Sequence, residues 1–454
     1  MAALAIPYTY RYLGDSQFDA SSHALRLATF SASDEPHPYF FRGELLRPKR
    51  TAELLRGLMR IVQARFHVPA AMLGRILAEA DPIVTCSDDR LCFEGFSGCC
   101  GVYARVDLLP AAVAGERFGR GTTNVDFNPP MLSALAMVRE TDRVSLAVGA
   151  AAVELVTDRE TVVEKKVQLP LRWLKGLVEV QACQSRMRAV HEISGIEASR
   201  FLRSLPRMKT NRRDTWIVSA GRGLRLSQCE THGAVRVGGL ERLRVLEGVA
   251  PQARTLQIFA DDITGASGWT LSFDDSRLHL VISPEVWRGF SGEGQALESL
   301  ASEEWQAALP TIRAGLKWES VVNLAALAGR VGGKIAVARA ALAVLGARGL
   351  VGFDLGEAAY FHRELPFDLS QVENLQPRLQ NARKLIAENK VRINQRSADQ
   401  FEAFVTGSGV EHRVRIAGDD AKCTCPWYSR HAASRGPCKH ILAVRLVVEG
   451  DERE

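Results

Sequence analysis

The residues best suited to chemistry lie close to the C-terminal end of the sequence. Cys423 and Cys425 are one residue apart, Cys438 and His440 are also one residue apart, and twelve residues separate the two pairs. Thiolate sulfur and imidazole nitrogen are the usual ligands of structural zinc, which takes four of them in a tetrahedron. A loop of this length closes at a small entropic cost. The sequence therefore predicts one zinc ion bound by these four residues.

The predicted zinc shell is closed. Four protein ligands leave no position for water or substrate, so the ion is expected to stabilise the fold and not to activate a reactant. His431 lies in the loop between the two pairs, but nothing in its spacing favours it as a ligand. The predicted cofactor is therefore a single structural Zn²⁺.

The ligand pattern C-x-C, a loop, then C-x-H resembles the SWIM-type zinc finger. The flanking sequence agrees with this resemblance through a preceding strand hairpin, the Trp427-Tyr428 pair, the Gly436-Pro437 pair and an apolar helix after His440. The resemblance covers about the last 75 residues. It implies a module that binds DNA or protein, in a bacterial protein found beside MoxR-type AAA ATPases and von Willebrand A-domain proteins. The expected partner is thus a protein of one of these classes, or nucleic acid.

Basic residues are concentrated around the predicted finger. Residues 376–445 contain 13 Lys or Arg against 6 Asp or Glu, whereas the whole chain has a net charge of only +6. A basic surface attracts nucleic acid or an acidic protein, and the alternative is a solvated face without a partner. The predicted binding residues in or beside the finger loop and its helix are Arg430, Arg435, Lys439 and Arg445. Three more, on the adjoining hairpin, are expected to share one positive face with them: Arg413, Arg415 and Lys422.

Other motifs do not indicate an enzyme. No histidine lies near Cys86, Cys92, Cys99 and Cys100, so ordinary buried thiols are expected there. Residues 329–334 resemble a phosphate-binding loop, but the spacing is one residue short and Ile335 stands where Ser or Thr must bind magnesium. No carboxylate pair has spacing that suggests acid–base catalysis. The sequence predicts no catalytic residues and no enzyme.

Length and composition predict a folded protein of several domains. The chain has 454 residues, enough for about two to four domains, and 46% of them are hydrophobic. Nine unevenly placed cysteines do not form a secreted disulfide framework. No run approaches the ~20 apolar residues of a membrane helix, and no signal peptide begins the chain. A cytoplasmic location without membrane contact is expected.

Periodicity divides the chain into four regions. Residues 1–80 are predicted to be helical, with helices at 50–68 and 69–81. Residues 81–310 contain two copies, at 86–180 and 215–285, of the order strand, amphipathic helix, three strands. A helical stretch, 180–206, and a basic loop, 207–213, link the copies. This order is similar to the repeated unit of DNA sliding clamps, which implies a clamp-like platform.

The third and fourth regions complete an α+β multidomain protein. Residues 311–370 resemble a winged helix-turn-helix, with two short helices around Gly332 and Gly333 and then a hairpin. The second helix offers only Lys334 and Arg339 to base edges, so it is expected to pack against protein. Residues 371–454 form the SWIM finger region. The leading hypothesis is a non-catalytic binding protein, the second is a DNA-binding factor with a winged helix and a clamp-like platform, and the third is an enzyme with an unrecognised site.

Overall fold

The computed structural model describes residues 17–19, 24–26, 39–66, 82–124, 127–149, 152–158, 161–165, 171–207, 214–287, 289–290, 294, 305–365, 377–397, 400–407, 409–418, 420–432 and 434–451. The predicted helix at 69–81 lies outside these residues. Among the helices that are described, none has the length and apolar character needed to cross a membrane.

The described residues between 41 and 165 follow the order strand, α-helix, five strands, α-helix, three strands. A short hairpin precedes them, formed by β1 (Gln17–Asp19) and β2 (Ala24–Arg26), so the prediction that residues 1–80 are helical is wrong for these two segments. The elements are β3 (Phe41–Leu45), α1 (Pro48–Gln63), β4 (Ile83–Cys86), β5 (Leu91–Phe96), β6 (Val102–Leu108), β7 (Val113–Arg117), β8 (Gly121–Asn124), α2 (Pro129–Met137), β9 (Val144–Val148), β10 (Ala152–Thr157) and β11 (Thr161–Lys165). The predicted helix at 50–68 corresponds to α1, which begins with proline and buries an apolar stripe against β5 and β6.

Residues 171–282 repeat part of this order. The elements are α3 (Leu171–Gln184), β12 (Arg188–Ser194), α4 (Gly195–Ser204), β13 (Trp216–Ala220), β14 (Gly223–Ser227), β15 (Val235–Arg236), a 3-10 helix (Leu240–Leu246), β16 (Thr255–Ala260), β17 (Ser267–Ser272) and β18 (Ser276–Ile282). The predicted order strand, helix, three strands is present in both copies. In the second copy the helix is of the 3-10 type, and its stripe of Leu240, Leu243 and Leu246 is fully buried.

The prediction of a continuous helical link at 180–206 is wrong in its middle. Residues 188–194 form β12, which pairs antiparallel with β16 from Arg188 opposite Ala260 to Ser194 opposite Thr255. Helical periodicity was present in this segment, but pairing with a buried strand decides its conformation because β-structure depends strongly on tertiary context. α4 then begins at Gly195, with Ser194 as its N-cap.

Two large sheets contain most of these strands, and the larger one joins the two stretches. One has five strands in the order β11-β10-β9-β3-β7, and the other has eight in the order β12-β16-β17-β18-β6-β5-β4-β8. In the larger sheet β18 pairs with β6, so strands from both halves form one surface. All seven residues of β6 are buried, including the charged Arg105 and Asp107.

Residues 305–365 contain the predicted order helix, turn, helix, hairpin. The elements are α5 (Leu309–Gly315), α6 (Leu324–Gly329), α7 (Ile335–Ala347), β19 (Val351–Asp354) and β20 (Ala359–His362). Gly332 and Gly333 both take left-handed φ values, +79° and +78°, which glycine adopts at little cost. The second half of α7 is buried and contacts α3, so this helix packs against protein from its own chain. The winged-helix assignment itself stays a prediction.

The C-terminal region is a four-stranded sheet covered on one face by helices. Its elements are α8 (Pro377–Ala387), β21 (Val391–Arg396), β22 (Gln400–Gly407), β23 (Val410–Ala417), β24 (Asp420–Cys423), α9 (Pro426–His431) and α10 (Lys439–Asp451). Ala403, Val405, Val414 and Ile416 form the buried inner face, and α10 packs on it together with α8. The hairpin predicted before Cys423 is β22 and β23.

Candidate zinc site and its surroundings

The four predicted zinc ligands meet at one point beneath this sheet. One ligand atom from each of Cys423, Cys425, Cys438 and His440 lies within 4.8 Å of all the others, and the four residues are 2% to 7% exposed. The Nδ1 atom of His440 is 3.8 Å from the Sγ atom of Cys423. A tetrahedral zinc with its usual bond lengths places such atoms about 3.6 Å apart. The donor types and their spacing therefore fit one zinc ion.

The ends of local secondary-structure elements position the three sulfur atoms. Cys423 is the last residue of β24, Cys425 is the N-cap of α9, and Cys438 immediately precedes α10. Each sulfur also accepts a backbone N–H, at 3.4 Å from Cys425 to Cys423, 3.4 Å from Tyr428 to Cys425, and 3.5 Å from Ile441 to Cys438. Hydrogen bonds of this kind stabilise thiolates, which are the form that binds metal.

Without a cation, the hydrogen bonds among the three thiols move their pKa values in opposite directions. Hydrogen bonds with Cys423 and Cys438 lower the pKa of the Cys425 thiol, whereas hydrogen bonds with Cys425 and Cys438, together with burial, raise the pKa of the Cys423 thiol well above its usual value. A divalent ion offsets this because it deprotonates the thiols that coordinate it. The close approach of three sulfurs and one imidazole nitrogen is therefore suited to a zinc ion.

Residues outside the ligand set hold the site in shape. The Nε2 atom of His440 is buried and has no hydrogen-bond partner among the described residues; a Cβ at Gly407 would lie only 2.5 Å from it. The ring of His412 lies 4.6 Å from that of His440. Any larger residue at position 407 would push the imidazole from the sulfurs. Nothing in the sequence pattern indicates this role for Gly407.

Arg378, on α8, fixes the loop between the two ligand pairs. Its guanidinium donates hydrogen bonds to the carbonyl of Arg435 at 2.7 Å and of Pro437 at 2.9 Å. It also lies 4.6 Å from the centre of the Trp427 ring. From the sequence, Arg378 was one of several basic residues on an amphipathic helix, and nothing in the spacing distinguishes it from the others.

The predicted basic residues do not form one face. Strand alternation places Arg413, Arg415 and Lys422 on the outer face of the sheet, whereas Lys439 and Arg445 lie on α10, which covers the inner face. Arg430 is exposed on α9. The expectation of a single positive surface is therefore not met, because the strand residues lie on the outer face and the helix that carries Lys439 and Arg445 lies on the opposite side of the sheet.

Several of these cations are already paired. Glu402 accepts hydrogen bonds from Arg413 at 2.5 Å and from Arg415 at 2.9 Å. Lys422 lies 3.0 Å from Asp420. Arg435 lies 3.5 Å from Glu285, in the segment after β18, so the finger contacts the α/β platform through this pair. The surface of the finger is one of mixed charge.

A second cluster has the donor types of a metal site. Atoms of Asp107, His279 and Asp354 lie within 4.8 Å of one another, and all three residues are buried. Arginines already neutralise this cluster. Arg105 contacts Asp107 at 2.6 Å and Asp354 at 3.0 Å, and Arg90 contacts Asp354 at 3.1 Å. Burial would raise the pKa of each carboxyl, but Arg105 outweighs it and holds both pKa values below their usual range.

This buried network joins two regions. Asp354 lies on β19, whereas Arg90, Arg105 and Asp107 belong to the larger sheet and its β4–β5 turn. A second pair crosses the same boundary between Arg363 and Glu94, and Tyr103 donates to Glu94 at 2.6 Å. We name the group Glu94, Arg90, Arg105, Asp107, His279, Asp354 and Arg363 the ionic junction. It links the β19–β20 hairpin to the platform, and its arginines already supply the positive charge that a metal ion would bring.

None of the four cysteines at the start of the platform belongs to the zinc cluster, and one of them, Cys92, accepts a hydrogen bond from Arg105 of the ionic junction at 3.5 Å. Cys86, Cys92 and Cys100 are buried, and Cys99 is half-exposed. Burial raises the pKa of the Cys86 thiol to about 12, which keeps it neutral in ordinary conditions. Among the described residues they take no part in a group of potential metal ligands.

Comparison with known proteins agrees with the geometry of the finger. Residues 412–447 match the family model described as SWIM zinc finger, and this range contains all four ligands. The resemblance inferred from the C-x-C and C-x-H pairs is confirmed, and so is the prediction of one structural zinc site. No curated protein matches the chain.

Solved structures similar to this chain include two of low sequence identity. Proliferating Cellular Nuclear Antigen from Entamoeba histolytica is 11% identical with a TM-score of 0.37, and the PCNA2-PCNA3 complex from Sulfolobus tokodaii is 10% identical with a TM-score of 0.36. Each match covers 54% of this chain and 99% of the other. TM-scores below 0.5 do not establish a shared fold, so the mixed α/β architecture stands and its clamp-like character remains a prediction.

Proposed function

We propose that this protein is a non-catalytic binding protein in which the SWIM finger, held rigid by zinc, docks a protein partner. One observation carries the proposal: the cations of the finger are largely matched by carboxylates of the same chain. Arg413 and Arg415 share Glu402, and Arg435 pairs with Glu285. Nucleic-acid backbones require unpaired cations in number, whereas protein partners are recognised by surfaces of alternating charge.

The closed metal shell supports the absence of catalysis. All four ligands of the cluster come from the chain, so the zinc has no position for a substrate. The second cluster of potential ligands is filled by the guanidinium groups of Arg90 and Arg105. Both sites therefore serve the structure.

The partner class rests on the family resemblance alone. A MoxR-type AAA ATPase or a von Willebrand A-domain protein is the proposed partner, with this chain as an accessory subunit. The runner-up function, a DNA-binding factor with a winged helix and a clamp-like platform, draws support from the repeated order of elements and from the helix-turn-helix order of α6 and α7.

Size-exclusion co-elution with purified candidate partners tests the proposal. Two variants leave the zinc ligands intact: Arg413→Glu with Arg415→Glu on the outer sheet face, and Arg430→Glu with Lys439→Glu on the helical side. We expect one of the two variants to lose at least tenfold in partner affinity, because one face carries the contact. Both should retain about one zinc per chain.

Three results would contradict the proposal. In the first, the unmutated protein binds neither class of partner. In the second, neither variant weakens partner binding, and in the third, the protein binds DNA tightly, with an affinity that falls steeply with salt and is lost in either finger variant. The last result would show that the finger binds nucleic acid.

A further inference from the structure

A second basic region lies far from the finger in sequence. Residues 305–348 contain six Lys or Arg and a single Asp or Glu. Counting charge over long segments conceals this region, because acidic residues elsewhere cancel it in the total of +6. Arg313, Arg330, Lys334 and Arg339 are all exposed, and none of the ion pairs in the described part of the chain includes them. They differ in this respect from the paired cations of the finger.

These four cations gather around the turn between α6 and α7. Gly333 donates its backbone N–H to the carbonyl of Ala328 at 2.8 Å, which closes the turn that Arg330 begins and Lys334 follows. The Nη1 atom of Arg330 lies 2.9 Å from where a Cβ on Gly315 would be. Its guanidinium therefore rests against the end of α5, which also carries Arg313.

We name this group of four residues, Arg313, Arg330, Lys334 and Arg339, the α6–α7 tip. Lys334 is the N-cap residue of α7, and Arg339 lies about one turn into that helix on its exposed side. No side chain caps the first turn of α7, so its backbone N–H groups add partial positive charge beside Lys334. The tip is thus positive from both side chains and backbone.

Small residues lie between these cations. Gly332 and Gly333 have nothing within 4 Å of where a Cβ would be, and Ala336 is exposed beside them. Ile335, 49% exposed, is the large apolar side chain among them. Protein interfaces depend on aromatic and other bulky anchors, and beside these cations Ile335 is a single aliphatic side chain without an aromatic neighbour among the four residues around it, Gly332, Gly333, Lys334 and Ala336. A polyanion needs only cations and room for close approach, and both are present.

We propose that the α6–α7 tip binds the sugar–phosphate backbone of nucleic acid without reading its sequence. Base edges are read by side chains such as Arg, Asn and Gln, and the exposed side of α7 offers alanines around Arg339. Four cations beside a helix start are sufficient for backbone contacts, which supply most non-specific affinity. This proposal is independent of the protein-docking function, which rests on the finger.

Fluorescence anisotropy with a labelled DNA duplex of about 20 base pairs tests the tip. The full-length, zinc-loaded protein is compared with a tip variant, Arg330→Glu with Lys334→Glu and Arg339→Glu. A finger variant, Arg430→Glu with Lys439→Glu and Lys422→Glu, has the same change in net charge and serves as the matched control. Affinity is measured between about 50 mM and about 200 mM salt.

The tip variant is expected to lose at least tenfold in affinity at the lower salt concentration. Its salt slope should fall by about 2 to 3, because each lost phosphate contact removes about 0.9 from the slope. The finger variant should keep its slope within about one of the unmutated protein. Circular dichroism and zinc content verify that each variant is folded. If the tip variant does not fold, it is replaced by a neutral variant, Arg330→Gln with Lys334→Gln and Arg339→Gln. The neutral variant is expected to show a smaller loss of affinity in the same direction.

Each contrary result overturns the proposal. Undetectable DNA binding by the unmutated protein at about 50 mM salt excludes a backbone-binding surface, since that condition favours it most. Equal losses in the tip and finger variants indicate general charge attraction. If the tip variant binds DNA as tightly as the unmutated protein, the tip does not contact DNA. If the unmutated protein binds polyglutamate but not DNA, the tip binds acidic proteins instead.

Discussion

Two buried clusters in this protein have the atom types of a metal site, and they differ in what neutralises them. In the finger, three sulfurs and the Nδ1 of His440 face one another. In the ionic junction, the carboxylates of Asp107 and Asp354 face His279, but the guanidinium groups of Arg105 and Arg90 lie among them. The first cluster lacks a cation of its own, and the second contains two.

This difference decides which cluster binds a metal. Several buried anions cannot be desolvated together without a compensating positive charge. A guanidinium supplies that charge with fixed, directional hydrogen bonds to carboxylates, while thiolates and an imidazole in a tetrahedron supply a soft site for zinc. Donor types alone are therefore insufficient to identify a metal site, and the nearest cation must be known as well.

Loss of zinc is the largest effect that this comparison predicts. Cys438→Ser should reduce the zinc content from about one per chain to near zero, because three ligands no longer close the shell. The free energy of zinc binding is about 10–16 kcal/mol in zinc-finger peptides, so the finger should unfold locally. Elemental analysis gives the zinc content, and limited proteolysis should find new cleavage within residues 410–450.

His279→Ala is the matched control for the zinc prediction. His279 belongs to the ionic junction, so this variant should retain about one zinc per chain. Zinc lost from the His279 variant, or a stoichiometry near two in the unmutated protein, would show that the junction binds metal after all.

Removing one partner from the ionic junction should give the second-largest effect. Asp354→Ala leaves Arg90 and Arg105 buried without their shared carboxylate, which typically costs about 3–5 kcal/mol. Urea denaturation of the platform should detect this loss while the zinc content stays unchanged. A loss below about 1 kcal/mol would mean that water reaches these arginines and that the junction is not dry.

The sequence predicted the finger well because its chemistry is local. Both ligand pairs lie within 18 residues, and their spacing specifies the shell before any tertiary contact is known. Amphipathic stripes such as Leu240, Leu243 and Leu246 were predictable for the same reason, since periodicity survives whether the helix is α or 3-10.

The ionic junction could not be predicted in this way. Arg105 and Asp354 are 249 residues apart, and in the sequence they are ordinary charged residues in a strand and a hairpin. Only the fold brings them together. The strand β12 escaped prediction for a related reason, because its conformation depends on pairing with β16. Similarly, Glu402 neutralises Arg413 and Arg415 across strands, which a charge count along the chain cannot reveal.

Thiol reactivity should separate zinc-bound cysteines from merely buried ones. In the zinc-loaded protein, a thiol reagent should modify the exposed Cys229 first and the half-exposed Cys99 more slowly. Cys86 should stay inert, because burial raises its pKa to about 12 and the thiolate is the reactive form. A chelator should then release three further thiols, those of Cys423, Cys425 and Cys438. Release of more than three would reveal additional ligands among the other cysteines.

Mild acid should release zinc from the finger but leave the ion pairs of the junction intact, and this is the smallest of the expected effects. Arg105 holds the pKa values of Asp107 and Asp354 below their usual range, despite burial that acts in the opposite direction. Carboxyl groups whose pKa is lower in the folded state contribute stability above the unfolded pKa of about 4 and lose it only as pH falls through the folded pKa. Acidification from pH 7 to about 5 should therefore leave the junction intact, whereas protons compete with zinc for thiolate and imidazole ligands over the same interval.

A zinc indicator together with limited proteolysis should record zinc release and cleavage in residues 410–450 before any cleavage in 305–365. Cleavage that begins in 305–365 would mean that Arg105 does not keep these carboxylates charged.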